Sequence, residues 1–325
     1  MSISRREFIQ HMLALGVTAA AAASVFSLLN CSSKSTEGPV SDNATPPPPP
    51  LPPGGAAYLA VTRGGNPTAL VQAAIEALGG IERFVKPGND VIIKPNICVS
   101  YRTYEYAATT NPEVVGALVA LCLGAGAKRV RVMDTPFSGS ADEAYSTSGI
   151  EQAVHAAGGE MEVMASMKFQ DTNIPYGRRI TSWPVYRDIL ETDVLIDVPI
   201  AKHHGGAVLT LGMKNLLGVV TNPAALHVDL ADKVADLTSL VRPDLTVVDA
   251  VRILMNNGPQ GGSLGDVKLT NTIIASHDIV AADAYAATLF GKSGASIPII
   301  RTGAQRGLGT MDITAIEIEE IPVGA

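Results

Sequence analysis

Residues 193–218, DVLIDVPIAKHHGGAVLTLGMKNLLG, decide how the rest of the chain is read. The largely apolar run 194–200 has the length and β-branched content of a strand buried on both faces, which points to a parallel sheet. At its end stand Lys202, His203 and His204. Two glycines follow, and then a segment in which Thr210, Lys214 and Gly218 recur every four residues. Read as a helix, that segment puts Leu209, Met213, Leu216 and Val220 on an apolar face and Thr210, Lys214 and Gly218 together on another. A helix beginning just after Gly206 would aim its free N–H groups and positive dipole end toward Lys202. Such an arrangement suits a phosphate, a carboxylate or an enolate.

The same handover from strand to helix repeats along the chain. A strand over 58–61 precedes Asn66-Pro67, a capped helix start that runs to about Leu78. A strand over 91–93 ends in Lys94-Pro95-Asn96, and Asn111-Pro112-Glu113 starts a helix that closes at Gly124 or Gly126. A strand over 130–133 ends at Asp134. A helix over 150–157 and a strand over 161–164 follow. Beyond the central stretch come a helix over 230–240, a strand over 245–248 ending at Asp249, a strand over 271–275, a helix over 279–290 and a last strand over 313–318. Apolar strands alternating with helices specify an α/β fold, a mainly parallel sheet with helices on both faces in a Rossmann-like three-layer arrangement.

Ligands of such sheets bind beyond the carboxyl ends of the strands, so Lys94, Asn96, Asp134, Lys202, His204 and Asp249 become candidates together. Loop 256–262, NNGPQGG, reads as a binding edge or a plain surface turn. Two glycine motifs are set aside. Gly124-Ala125-Gly126 follows a helix and precedes a strand, the wrong side for a dinucleotide fingerprint, and no Gly-x-x-x-x-Gly-Lys-Ser/Thr occurs. No Gly-x-Ser-x-Gly elbow follows a strand, which disfavours a serine hydrolase.

Composition narrows the function classes. A formal charge of −7 and the lack of an arginine-rich, aromatic-interleaved face argue against nucleic acid. The chain has three cysteines, Cys31, Cys98 and Cys122, with no Cys-x-x-Cys, so no iron–sulfur cluster is expected. Cys98 and Cys122 are read either as a disulfide or as buried free thiols. Imidazole and carboxylate ligands for a metal would come from His203, His204, His227 and Asp229. Adjacent histidines seldom chelate one ion and no His-x-x-x-His is present, so a divalent-metal-dependent enzyme is the weaker reading.

The amino-terminal residues carry an address. Ser4-Arg5-Arg6-Glu7-Phe8 precedes an uncharged, alanine-rich run over 12–29, resembling a twin-arginine export signal; a membrane-spanning helix is the competing reading. Leu28-Leu29-Asn30-Cys31 resembles a lipobox, with Cys31 as the acylated residue and an unusual Asn30 before it. Residues 31–56 read as a tether, with PPPPPLPP at 46–53 favouring extended polyproline II. The expected organisation is therefore a signal over 1–30, a proline-rich linker over 31–56 and a single α/β domain over 57–325. Its expected location is the periplasm or cell envelope, attached to a membrane through Cys31.

Several of these residues fall into one pattern. KPN at 94–96, ATTNPEVV at 108–115, Pro199-x-x-Lys202-x-His204, Thr210, Lys214-Asn215-x-x-Gly218, Asp249, Gly258-Pro259 and HDIVAADAYAATLFG at 277–291 resemble the bacterial and archaeal family called domain of unknown function 362. The resemblance implies the domain but no settled activity. Many members also carry a ferredoxin-like module, for which this chain lacks the cysteines. The leading expectation is a strand-end pocket for a small anion, with an enzyme as one form of it. In that expectation Lys94, Lys202 and Lys214 hold or polarise the anion, and His204 exchanges protons. Asn96, Thr210, Asn215, Asp249 and Asn257 orient the ligand. A non-catalytic binding or accessory protein of the envelope is the rival.

Overall fold

Alternation of side chains along each strand explains why the sheet is covered twice. In the computed structural model, which describes residues 9–11, 45–49, 52 and 54–324, Val91 and Ile93 pack to one face while Ile92 packs to the other. Val194, Ile196 and Val198 oppose Leu195, and Leu245 and Val247 oppose Val248, in the same way. A strand with apolar groups on both faces has to be buried on both, at roughly 1.5–3 kcal/mol per large aliphatic side chain. The first face is covered by α1 (Pro67–Ala77), α2 (Pro112–Gly124), α3 (Ala141–Ser148) and α4 (Ile150–Ala156). The short α5 (Arg187–Glu191) belongs to the opposite side, with α6 (Gly212–Asn215), α7 (Leu230–Val241), α8 (Ile279–Thr288) and α9 (Pro298–Gln305).

The strands are β1 (Leu59–Gly64), β2 (Asp90–Pro95), β3 (Arg129–Val132), β4 (Glu160–Met161), β5 (Phe169–Asn173), β6 (Ser182–Tyr186), β7 (Val194–Val198), β8 (Ile200–His204), β9 (Val208–Thr210), β10 (Leu245–Leu254), β11 (Val267–Ser276) and β12 (Ile318–Val323). Ten of them form one sheet along the path β12-β1-β11-β10-β7-β2-β3-β4, with β8 and β9 continuing off β10. β4, β3, β2, β7 and β10 are mutually parallel, so their carboxyl ends share one edge. β11 is antiparallel to both β1 and β10, which returns β1 to the common direction. The body thus enters the sheet at the edge opposite those carboxyl ends, where Ala57 N–H donates to Ala77 O at 2.9 Å.

Helix starts follow the sequence closely. Asn66 accepts from Ala69 N–H at 2.9 Å and Asn111 from Glu113 N–H at 2.9 Å, each with proline at the next position. Cys98 and Cys122 are both free and buried. Arg5, Arg6 and Cys31 lie outside the described residues.

The sequence expectations need correction in four places. Residues 208–210 form a strand, not the first turn of a helix: β9 pairs back on β8, with Gly205 and Gly206 in the hairpin turn, and helix begins only at Gly212. The last strand is Ile318–Val323, later than expected, because it pairs in parallel with β1. The third parallel partner is only Glu160–Met161, and the separate hairpin β5–β6 has polar outward positions that gave no clean periodicity. β10 and β11 are ten residues each, longer than their apolar cores, since they pair with each other beyond the sheet proper.

One glycine fixes the packing of α6 on the sheet. A Cβ on Gly218 would lie 2.8 Å from Lys94 Nζ and closer still to Asp134 Oδ1. Gly218→Ala should therefore part a buried ion pair and lower stability by about 3 kcal/mol, read as a drop in the denaturant midpoint. An unchanged midpoint would show that the α6 segment can move away freely.

Candidate functional site

Because β2, β3 and β7 end together, the polar residues that follow them meet. Lys94 Nζ donates to Asp134 Oδ1 at 2.6 Å, to Pro95 O at 2.8 Å and to Asn215 Oδ1 at 3.0 Å. Both charged partners are about 1–2% exposed. Asp134 Oδ2 also accepts from Ile97 N–H at 2.6 Å. Burial pushes the Asp134 carboxyl up, and Lys94 and the Ile97 N–H draw it back. Asn215 is the junction. Its Oδ1 also accepts from Asn96 Nδ2 at 3.0 Å, and its Nδ2 donates to Asp197 Oδ1 at 2.8 Å.

Lys202 lies on the same network but differs in kind. Its ammonium donates to Asn96 Oδ1 at 2.7 Å and to Ala108 O at 2.6 Å, both neutral acceptors, and it is 1% exposed. Burial lowers its pKa. Lys214, half-buried on α6, makes no hydrogen bond or ion pair among the described residues, and burial with Lys202 nearby lowers it to about 8. Lys214 and Lys202 in turn both act on His204, which is pushed down to about 3, chiefly by burial. The structure therefore brings Lys202, His204 and Lys214 into one electrostatic cluster.

His204 takes a fixed form there. Its Nδ1 accepts from Gly206 N–H and Ala207 N–H, both at 3.1 Å, which leaves Nε2 carrying the proton. A ring so held stays neutral through the physiological range and offers a donor. It is therefore poorly suited to the proton exchange expected of it. Thr210 pairs with Lys202 across β8–β9, so the two side chains share a face; its Oγ1 is buried and unpartnered among the described residues.

Other expected ligand residues are used elsewhere. Asp249 accepts from Asn111 N–H at 2.7 Å and Val251 N–H at 3.0 Å, one on each oxygen, so it ties α2 to β10; burial raises it to about 6. Asn257 donates to Asp266 Oδ1 at 3.0 Å in an exposed loop. His203 Nδ1 accepts from Gly258 N–H at 3.2 Å, away from His204, while His227 stacks on His204 with ring centroids 6.1 Å apart. Asp229 stands ahead of α7 and makes no side-chain cap. Among the described residues no group of three or more His, Cys, Asp or Glu side chains is placed to hold a metal ion.

Three residues of the site escaped the sequence reading. Asp197 sits in the middle of β7 and is fully buried, with its Oδ2 unpartnered and its pKa raised well above the carboxylate range by burial. Asp283 caps α6 by accepting from Gly212 N–H at 2.6 Å and Met213 N–H at 3.0 Å, so the helix end expected to be free for an anion already holds a carboxylate. Cys98 follows Asn96 by two residues and packs with Ala108, whose carbonyl accepts from Lys202. The available signal was an acid inside an apolar strand or helix, which is seldom tolerated without a role.

The fold and its polar edge define an α/β protein with a cationic cluster at the carboxyl ends of a parallel sheet. The chain belongs to the family described as Domain of unknown function (DUF362), whose profile matches residues 91–288. A thylakoid-associated protein of Synechocystis sp. is 28% identical over 269 residues, covering 78% of each chain. The lactate racemase apoprotein of Thermoanaerobacterium thermosaccharolyticum superposes with a TM-score of 0.45 at 11% identity, over 76% of this chain and 62% of that one. A Thermotoga maritima protein gives 0.41 at 12%, over 70% and 60%. Likenesses this slight carry neither chemistry nor ligands across.

Burial raises Asp283 from 3.8 to about 7. An acid whose folded pKa exceeds its unfolded one makes the folded state hold the extra proton, so its contribution to stability falls as pH rises from about 4 to about 7. Asp283→Asn should be less stable overall but flatter in denaturant midpoint between pH 5 and pH 7. A wild-type slope that persists undiminished in the variant would assign the titration elsewhere.

Proposed function

We propose that this protein binds a small anion at the carboxyl edge of its sheet. Lys202 and Lys214 supply the charge, Thr210 and His204 supply neutral donors, and Asn96 and Asn215 hold the frame. The observation that carries the reading is two adjacent lysines with no carboxylate partner among the described residues, beside a Lys94 that has one. Buried charge is ordinarily paired, so an unpaired pair of ammonium groups next to an unpartnered hydroxyl fits an external anion. Lys214, with its pKa near 8, favours a second reading in which it removes a proton from carbon next to the bound carboxylate.

The binding test is calorimetry with phosphate and a set of small carboxylates. Lys214→Met should weaken binding at least about tenfold, the effect of losing ~1.4 kcal/mol of charge contact. Lys214 loses its proton as pH rises through about 8, so affinity should hold below pH 7 and fall above 8. A protein that binds none of these anions at any pH would end the reading.

The same proposal covers location. Arg5-Arg6 before an uncharged run and the Leu28-Leu29-Asn30-Cys31 sequence support export by the twin-arginine route and acylation at Cys31. Residues 31–56 would then tether one α/β domain, residues 57–325, in the cell envelope. The relative named for its association with thylakoids is in keeping with a membrane-attached protein. No helix among the described residues is long and apolar enough to cross a membrane. Replacing Arg5 and Arg6 together by lysine should hold the chain in the cytoplasm, and Cys31→Ala should remove the acyl mass. Unchanged fractionation and mass would refute this part.

A further inference from the structure

A narrow cleft opens beside Lys214. It lies where β9, the start of α6 and the start of α9 come together, and it takes in about 180 Å³ with its mouth included. Leu209 and Leu211 line it from one side, because alternation along the extended residues 209–211 turns both away from the face of Thr210. Ile297, Ile299 and Ile300, at the first turn of α9, line it from another. All five are buried, at 1–4% exposed. Lys214 is the one lining residue that is not buried, so it stands at the mouth. The one carboxylate in the lining, Asp283, accepts from Gly212 N–H on one oxygen and from Met213 N–H on the other, and it forms no ion pair with Lys214 among the described residues. A solute that reaches the aliphatic interior passes an uncompensated ammonium on the way.

We propose that the ligand of this site is a short, unbranched aliphatic carboxylate, with its carboxylate on Lys214 and its hydrocarbon chain in the cleft. The inference rests on the anion-binding reading and adds the class of anion. Five aliphatic side chains hold no donor for the oxygens of a phosphate, so the cleft gives that anion nothing. To a hydrocarbon chain they give burial. One ammonium, a compact point charge, matches the single charge of a carboxylate. The space limits the length of the chain. A water-sized group occupies about 30 Å³, so the cleft and its mouth hold a handful of such groups, which suits a chain of roughly three or four carbons. An aromatic ring is too broad for so narrow a space.

The test is calorimetry on the full chain with acetate, butyrate, octanoate, benzoate, butyramide and phosphate. Butyrate should bind about tenfold or more tighter than acetate, from a gain of roughly fourfold for each of two buried CH₂ groups. Octanoate should add little beyond butyrate, because its chain outruns the cleft, and benzoate should bind more weakly than butyrate. Butyramide, the same chain without the charge, should bind at least about tenfold more weakly than butyrate. Lys214→Met should weaken acetate and butyrate alike. Ile299→Thr, which puts a hydroxyl into the aliphatic lining, should shrink the advantage of butyrate over acetate. The wild-type series needs no variant to fold, and equal affinities for acetate and butyrate would overturn the proposal. So would butyrate binding that is indifferent to Lys214. If phosphate and acetate bind with Lys214 dependence while chain length adds nothing, the aliphatic class fails and the binding reading stands. If no anion binds, both fall.

Discussion

A lysine ammonium removed from water must find an opposite charge, and the Lys94–Asp134 pair at 2.6 Å meets that demand at the centre of the molecule. Much else follows from its position. Lys94 ends β2 and Asp134 follows β3, so the pair locks neighbouring strands at their carboxyl ends. The Ile97 N–H completes the carboxylate, which fixes the turn after β2. Gly218 has to be glycine because backbone passes directly over the pair. Asn215 reaches Lys94, Asn96 and Asp197 from α6, so the helix is positioned by the same charges. A single electrostatic requirement thereby ties strand ends, loop and helix into one rigid edge.

That edge is unevenly compensated. Lys94 is neutralised within the protein, while Lys202 is held by an amide oxygen and a carbonyl, and Lys214 by nothing among the described residues. The nearby acids do not restore the balance. Asp249 and Asp283 spend their oxygens on backbone N–H groups, and Asp197 is raised by burial toward its neutral form. The result is a local excess of positive charge on a chain whose formal net charge is −7. Long-range attraction cannot account for it, so its effect is confined to what enters the site.

The fold was largely legible because buried parallel strands announce themselves by apolar runs, and Asn-Pro starts mark their helices. The α6 region was not, and the reason is specific. Thr210, Lys214 and Gly218 have helical spacing, but the Gly205-Gly206 turn lets residues 208–210 fold back on β8, and pairing with a strand outweighs a four-residue repeat. Strand-end logic singled out Lys94, Asn96, Lys202 and, through the motif, Asn215, which the structure joins by hydrogen bonds. It misjudged Asp249, since sequence cannot show that a carboxylate at a strand end is satisfied by the amide of Asn111, 138 residues earlier in the chain. Asp283 was hidden for the converse reason: it belongs to a helix far along the chain whose only link to the site is the cap it makes on Gly212.

The direction of β1 has a consequence for how the molecule is displayed. β1 runs with β10, β7, β2 and β3, so Ala57 joins the body at the amino edge of the sheet. The four steps from Asp90 to Lys94 along β2 put roughly 13 Å between that edge and Lys94. A support that held the body at Ala57 would therefore grip it from the edge away from Lys94. A solute arriving at the carboxyl edge meets the exposed loops around Tyr101 and Gln260 before it reaches the buried Lys202.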